Sequence, residues 1–431
     1  MGASECKSDL MVAADIHLAE RLFDALRTGT GSADGICRAS YGEGEAIAHA
    51  LVQKVAHALG LAITRDAALN LYVTLHGVER GPGIVVGSHL DSVPRGGNFD
   101  GAAGVLMGLA VQAGFVHAKK RPKRDIIVMV IRAEESTWFN ASYIGSRAAL
   151  GQLGAEELDS VIRSDNGRTL GDHIAVAGGD VAALRKGIAF LDHAIISAFI
   201  EPHIEQGPDL SDKNLPIGIV TGIRGSSRYR TARCVGSYAH SGATPRHLRK
   251  DAVASCAALL VRVNALWAEF EARGEDLTVT VGQMMTDEAE HAFSKVSGLV
   301  SFSLDMRSQS NATLEDFHSG LMAIALDVER EHGVTFDWGQ VSGSQAAIMD
   351  QRIVLALSDA ARAIGLEAPA MPCGAGHDAA VFANLGIPTG MIFIRNQNGS
   401  HNPDEAMDMA DFTAGAEVLL RFCLDWPEKQ A

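Results

Sequence analysis

Asp125-Ile-Ile-Val-Met-Val-Ile131 is apolar at every position after the first. A short apolar run without polar alternation is the pattern of a strand covered on both faces, the usual state in a parallel sheet. The flanks agree. Residues 101–115 read as a helix of small and apolar side chains, and residues 83–87, with Val73 and Leu75, as short strands. Further upstream, Ile16, Leu18, Leu22 and Leu26 recur at near-helical spacing. A turn follows at Gly29, Gly31 and Gly35, then a second amphipathic helix at 43–59. Strands and helices alternating at this spacing predict βαβ units with right-handed crossovers.

The middle of the chain departs from that rhythm. Residues 218–235 alternate like a strand, 249–271 form a long helix, 277–284 and 299–307 two more strands, and 314–332 a second helix. That β-α-β-β-α-β order is ferredoxin-like. After Gly343 a helix (353–364) and an apolar strand (389–394) restore the first pattern. The expected fold class is therefore α/β, a three-layer main domain on a mostly parallel sheet, built from residues 1–216 and 341–431. A ferredoxin-like α+β domain is inserted at 217–340. Two domains also suit a length of 431 residues, because single cores stop growing at roughly 250–300.

Composition narrows the class. Lys plus Arg (37) against Asp plus Glu (52) leaves a net charge of −15, which repels nucleic-acid phosphates. No apolar run approaches the roughly 18 residues of a membrane span. Residues 1–10 are polar, unlike a secretory leader. The six cysteines (Cys6, Cys37, Cys234, Cys256, Cys373, Cys423) form no C-x-x-C pair, which points to reduced thiols and a cytoplasmic protein.

Chemistry gathers where the strands end. In Gly87-Ser-His-Leu-Asp91, His89 and Asp91 are two apart and point the same way in an extended chain. They read as a metal ligand with its orienting partner, or as a surface histidine near a turn. Asp100, in Gly96-Gly-Asn-Phe-Asp-Gly101, is either a carboxylate bridging two cations or the N-cap of the next helix. Glu134 and Glu135 follow the apolar strand; they either share a cation or proton, which relieves their repulsion, or sit in a solvated turn. His203 lies in Glu201-Pro-His-Ile-Glu-Gln-Gly-Pro208 and His401 in Gly399-Ser-His-Asn-Pro403. Among 16 histidines, either one taken singly is more often a structural or surface residue. Together these residues supply the mixed nitrogen and oxygen set that suits Zn²⁺, Mn²⁺, Co²⁺ or Ni²⁺.

In order, H-L-D-S-V-P-x-G-G-x-x-D-G from His89, E-E at Glu134, H-I-E-Q-G-P from His203, G-A-G-H-D-A from Gly374 and S-H-N-P-x-E from Ser400 span most of the chain. The series resembles the di-metal amidohydrolases of the hydantoinase/carbamoylase type. These include N-carbamoyl-L-amino acid hydrolases and allantoate amidohydrolases, within the aminoacylase-like metallopeptidase superfamily. The resemblance implies two divalent ions per subunit, Zn²⁺ or Mn²⁺, with Co²⁺ or Ni²⁺ also suited. His89 and His203 would hold one ion, Glu135 and His401 the other, with Asp100 bridging. Asp91 would orient His89. Glu134 would be the general base for a metal-bridged water that attacks the ureido carbonyl. The insert would be a lid and dimerisation domain. Its His240, in Ala239-His-Ser-Gly-Ala-Thr-Pro245, would stabilise the oxyanion across the interface of a homodimer. Arg307, in Leu304-Asp-Met-Arg307, would grip the carboxylate of a small carbamoyl or ureido substrate, and Gln206 would add a further contact. The implied activity is N-carbamoyl-L-amino acid hydrolysis. Allantoate or ureidoglycolate hydrolysis is the alternative, and a di-zinc aminoacylase or peptidase a more distant one.

Three positions depart from the family pattern. Ser136-Thr-Trp138 follows Glu135 where relatives carry Gly, and Trp138 is expected to narrow the pocket. His291-Ala-Phe-Ser294 replaces an Asn-x-x-Asn motif. Pro202 removes one ladder donor beside His203. Cys373, His377 and Asp378 also suggest a thiol amidase, although near neighbours in sequence seldom form a triad. Gly374, Gly376 and Ala379 mimic a dinucleotide fingerprint without a preceding strand. A binding module that kept the fold and lost its activity is the non-enzymatic reading.

Overall fold

The computed structural model describes residues 12–426; Cys6 and the polar opening at residues 1–10 lie outside them. In chain order come helices α1 (Ile16–Thr30) and α2 (Glu43–Ala58), strands β1 (Ala62–Arg65), β2 (Leu71–Leu75) and β3 (Gly83–His89), helix α3 (Ala102–His117) and strand β4 (Ile126–Ile131). Short helices lead to β5 (Ile196–Ile204) and β6 (Ile217–Ile223). Next are β7 (Gly225–Val235), α4 (Ala252–Ala272), β8 (Thr278–Thr280), β9 (Met284–Thr286), β10 (Leu299–Ser308), α5 (Asn311–His332), β11 (Thr335–Asp337) and β12 (Val341–Ser344). The chain finishes with α6 (Gln351–Ala363), β13 (Ala370–Cys373), β14 (Thr389–Ile394) and α7 (Met409–Asp425). It divides into two compact units, one running to Thr221 and resuming at Ile348, the other Gly222–Ala347.

The first unit holds a nine-stranded sheet in the order Ala347–Ile348, β6, β14, β5, β3, β4, β2, β1, with β13 also on β6. Its four central strands, β14, β5, β3 and β4, are parallel. The flanks are antiparallel: β6 on β14, β2 on β4 and β1 on β2. The sheet is thus mixed, and its parallel centre is where apolar runs are covered on both faces. Helix α3 shows how tightly it is covered. Every residue from Ala102 to Phe115 is buried, so the helix has no polar stripe to present. Its Gly104 is required, because a Cβ there would meet the Pro202 carbonyl oxygen at 2.1 Å. Pro202 is tolerated for a local reason. Phe199 and Glu205 donate toward the β14 side, so the Pro202 nitrogen faces β3, beyond the last β3–β5 pair, Val86 with Ile200.

The second unit is a six-stranded sheet in the order β8, β10, β7, β11, with β9 on β10 and β12 on β7. Residues 218–235 are two strands rather than one. β6 runs in the first sheet and β7 in the second. Residues 277–284 likewise split into β8 and the start of β9, both on β10. α4 is long and apolar enough to cross a membrane by composition. However, its Ala252, Cys256, Leu259, Val263 and Phe270 belong to this unit's hydrophobic core.

Candidate metal centre

Parallel strands end together, and the carboxyl edge of an open α/β sheet is where ligands collect. His89 is the last residue of β3, level with Ile131 at the end of β4. His203 is the penultimate residue of β5, level with Phe393 of β14. The loops leaving β3, β4 and β14 carry Asp91 and Asp100, Glu134 and Glu135, and His401. β4 lies on one side of β3 and β5 on the other. Chain order therefore reverses between the two histidine-bearing strands, the position at which binding sites form.

Asp100 is the hub of the cluster. Its Oδ1 lies 3.1 Å from His203 Nε2 and 3.6 Å from His89 Nε2. Its Oδ2 lies 3.3 Å from His401 Nε2, which is also 3.3 Å from Glu135 Oε1. Two groups result, His89–Asp100–His203 and Asp100–Glu135–His401, and within each the ligand atoms all lie within 4.8 Å of one another. The outer ring nitrogens are engaged. His89 Nδ1 meets Asp91 at its Oδ1 (3.3 Å) and its carbonyl (3.1 Å), and His203 Nδ1 meets the Ile204 carbonyl at 2.8 Å. A proton on Nδ1 leaves the lone pair on Nε2. Nitrogen and carboxylate lone pairs then face each other, and only a cation between them, a proton or a metal ion, makes that favourable. Three protein ligands per ion is the count of catalytic rather than structural sites.

The charges divide accordingly. Burial opposes ionisation of Asp100, but the His203, His401 and His89 rings around it outweigh that and hold the carboxyl well below its usual range. Glu134 moves the other way. Burial pushes its pKa well up, His89 pulls back only in part, and Glu135 and Asp378 add to the push. Glu134 joins neither group of ligands, and its side chain makes no hydrogen bond among the described residues. Backbone strain concentrates here too, as it does at functional sites. Ala133, Gln206 and His401 take φ values of 52°, 62° and 61°.

A supporting shell escaped the sequence reading. Three consecutive amides are held by two buried carboxylates: Ala133 N–H donates to Glu45 (2.9 Å), and Glu134 and Glu135 N–H to the two oxygens of Asp91 (3.0 and 3.1 Å). Glu45 also accepts from Arg132 Nη1 at 2.7 Å, and Ser40 donates to Asp91 at 2.6 Å. Arg38, fully buried, donates to the carbonyls of Leu90 (2.6 Å) and Asp100 (3.5 Å) and gathers the loop between them. Glu405 accepts from the amides of Phe99 (2.8 Å) and Asp100 (3.2 Å) and from Ser400, whose hydroxyl also reaches Asp100 Oδ2 at 2.8 Å. Asp91 carried a signal of its own, and Ser400 and Glu405 carried one through their places in S-H-N-P-x-E. The others are joined to the site by contacts 51 to 88 residues apart, which spacing cannot reveal.

Gln206 Nε2 donates to Asp100 Oδ2 at 3.0 Å, while its Oε1 is buried without a partner among the described residues. Trp138 corrects an expectation. It is buried in a cluster with Phe139 and Tyr41, and its indole N–H donates to the Ser92 carbonyl at 2.8 Å. It thus braces the Asp91 loop instead of narrowing a pocket. Cys373 donates its thiol proton to the Ala375 carbonyl at 3.0 Å, and His377 packs its ring 4.3 Å from that of His203. In the second unit His240 is exposed, and its Nδ1 accepts from the amides of Gly242 (3.2 Å) and Ala243 (3.1 Å). Arg307 donates to Asp305 from Nε (3.1 Å) and Nη2 (2.8 Å). His291 pairs with Thr286, and the Ser294 carbonyl accepts from the Ser241 amide at 2.9 Å.

Known proteins share this architecture. The model of peptidase family M20/M25/M40 matches residues 85–425. N-carbamoyl-L-amino acid amidohydrolase of Geobacillus stearothermophilus is 33% identical over 406 residues, covering 94% of this chain and 96% of that protein. Allantoate amidohydrolase of Bacillus subtilis (strain 168) is 27% identical, covering 91% and 92%. The crystal structure of a hydantoinase/carbamoylase-family amidase from Burkholderia multivorans matches with a TM-score of 0.87 at 27% identity, covering 96% and 98%. The chain belongs to peptidase family M20/M25/M40, among its hydantoinase/carbamoylase-type amidohydrolases.

Proposed function

We propose that this chain, a hydrolase of non-peptide C–N bonds by its family, cleaves the ureido bond of N-carbamoyl-L-amino acids and releases the amino acid, carbon dioxide and ammonia. The observation that carries the reading is Asp100 facing two ligand groups at once, with Glu134 beside them and uncommitted. The donor set fits two divalent ions, Zn²⁺ or Mn²⁺, with Co²⁺ or Ni²⁺ as alternatives. His89 and His203 would hold one ion, Glu135 and His401 the other, and Asp100 both. Bound there, such a pair lowers the pKa of a water toward neutrality and polarises a carbonyl.

The chain's own residues do the rest. Asp91 fixes the His89 ring with its lone pair inward. Glu134 takes a proton from the attacking water and delivers it to the departing nitrogen. Gln206 Oε1, buried and unpartnered, accepts from a ureido N–H. Arg307 offers its fork to the substrate carboxylate. His240 accepts two amide protons at Nδ1, so Nε2 carries the ring proton and is a donor suited to an oxyanion. Allantoate or ureidoglycolate is the second reading, supported by the allantoate amidohydrolase relative. Di-zinc aminoacylase or peptidase activity is a more distant third.

The test is a screen of N-carbamoyl amino acids, allantoate, ureidoglycolate, N-acyl amino acids and short peptides for ammonia or amine release. The expected result is fastest turnover of an N-carbamoyl-L-amino acid, abolished by EDTA and restored by Mn²⁺. Turnover that survives EDTA, or a preference for peptides, would reject it. The proposed setting is the cytoplasm, consistent with the five free cysteines among the described residues. The proposed assembly is a homodimer joined through the inserted unit as a lid, with His240 acting across the interface. The exposed Met284 and Met285 on edge strand β9, and the fully exposed Phe293, supply apolar surface for it. Sedimentation velocity is expected to show a dimer; a fully active monomer would exclude the trans role of His240.

A further inference from the structure

Tyr143 has no place in the scheme above, yet three features tie it to the site. Its backbone N–H donates to the Glu134 carbonyl at 3.0 Å, so the residue is anchored to the proposed base. Its φ is 58°, a left-handed conformation that a bulky side chain adopts only where the surroundings enforce it. The ring extends to Gly376, where a Cβ would lie 1.7 Å from the Tyr143 hydroxyl oxygen. Gly376 precedes His377, whose ring packs against that of His203. The phenol therefore spans from the Glu134 loop to the loop beside a candidate ligand, and glycine is needed to admit it.

Tyr143 is half-buried, and its hydroxyl makes no hydrogen bond among the described residues. Burial, reinforced by the charges of Glu134 and Asp378, keeps its proton on. Among the described residues it is a neutral donor without an acceptor. A neutral phenol O–H anchored beside the Glu134 loop suits the oxygen of an uncharged carbonyl as its acceptor.

We propose that the Tyr143 hydroxyl is a catalytic hydrogen-bond donor to the scissile carbonyl of the substrate, supplied from within the first unit. The proposal rests on the amidohydrolase reading but not on the ureide in particular. No proton is transferred; the phenol O–H strengthens its bond as charge grows on that oxygen.

The experiment compares wild type with Tyr143→Phe, full-length and Mn²⁺-loaded, on whichever substrate of the screen the wild type turns over fastest. Phenylalanine keeps the ring and removes only the donor. We expect kcat to fall at least about tenfold, toward the 10²–10³ range for a lost oxyanion donor, with bound manganese and Tm unchanged. Kinetics within twofold of wild type would overturn the proposal. So would a variant that loses manganese or melts early, because that marks a structural plug. If only N-acyl amino acids are cleaved, the ureide reading fails while the Tyr143 comparison is decided on that substrate.

Discussion

Glu134→Gln is expected to lower kcat at least about a hundredfold while both candidate metal sites load as in wild type. The expectation follows from the division of labour within the Glu134-Glu135 pair. Glu135 Oε1 lies 3.3 Å from His401 Nε2 and belongs to a ligand group, whereas Glu134 belongs to neither. Its amide is fixed by Asp91 at 3.0 Å, so the side chain is aimed without being engaged. Glutamine keeps the volume and the backbone bonds but has no basic oxygen of comparable strength. Metal analysis of the purified variant, beside steady-state kinetics, separates the two roles. Near-normal kcat would remove Glu134 from proton transfer, and loss of metal would recast it as a ligand.

Asp100→Asn should have the larger effect on metal binding. Both candidate groups share this one carboxylate, and its two oxygens face different histidines. An amide offers one oxygen and no charge, so one group must face an N–H₂ and neither receives the anion. Changes to residues that merely support ligands cost 10–100-fold in affinity, and a shared ligand should exceed that. The readout needs no substrate. Manganese at about a hundred times its Kd stabilises the wild-type fold by about 2.7 kcal/mol for each ion bound, seen as a rise in Tm, and the variant should show little or none. An equal rise in both proteins would mean that Asp100 does not bind the metal.

The positions of the candidate ligands were legible because each sits within a few residues of a strand end. Apolar runs such as 126–131 locate the strand, and the residue types after it announce chemistry. Trp138 and Tyr143 were misread or passed over for a common reason. Their roles depend on which distant segment lies beside them: the Ser92 carbonyl for one and Gly376 for the other. Glu45 is the clearest case. Nothing in its helix hints that its carboxylate holds the turn before Glu134, 88 residues on. The antiparallel flanks of the main sheet were hidden as well, since an apolar run reports burial and not the direction of its neighbour.

Local sequence by itself determined the strand ends, the residue types placed there and the family to which the chain belongs, because these depend on short-range periodicity and on motifs a few residues long. Tertiary structure alone decided that Asp100 stands between two pairs of candidate ligands and that Glu45, Arg38 and Glu405 lock the loops around it. Those contacts join residues as much as 306 positions apart, and such distances are closed by burying apolar surface across the whole domain rather than by any local preference.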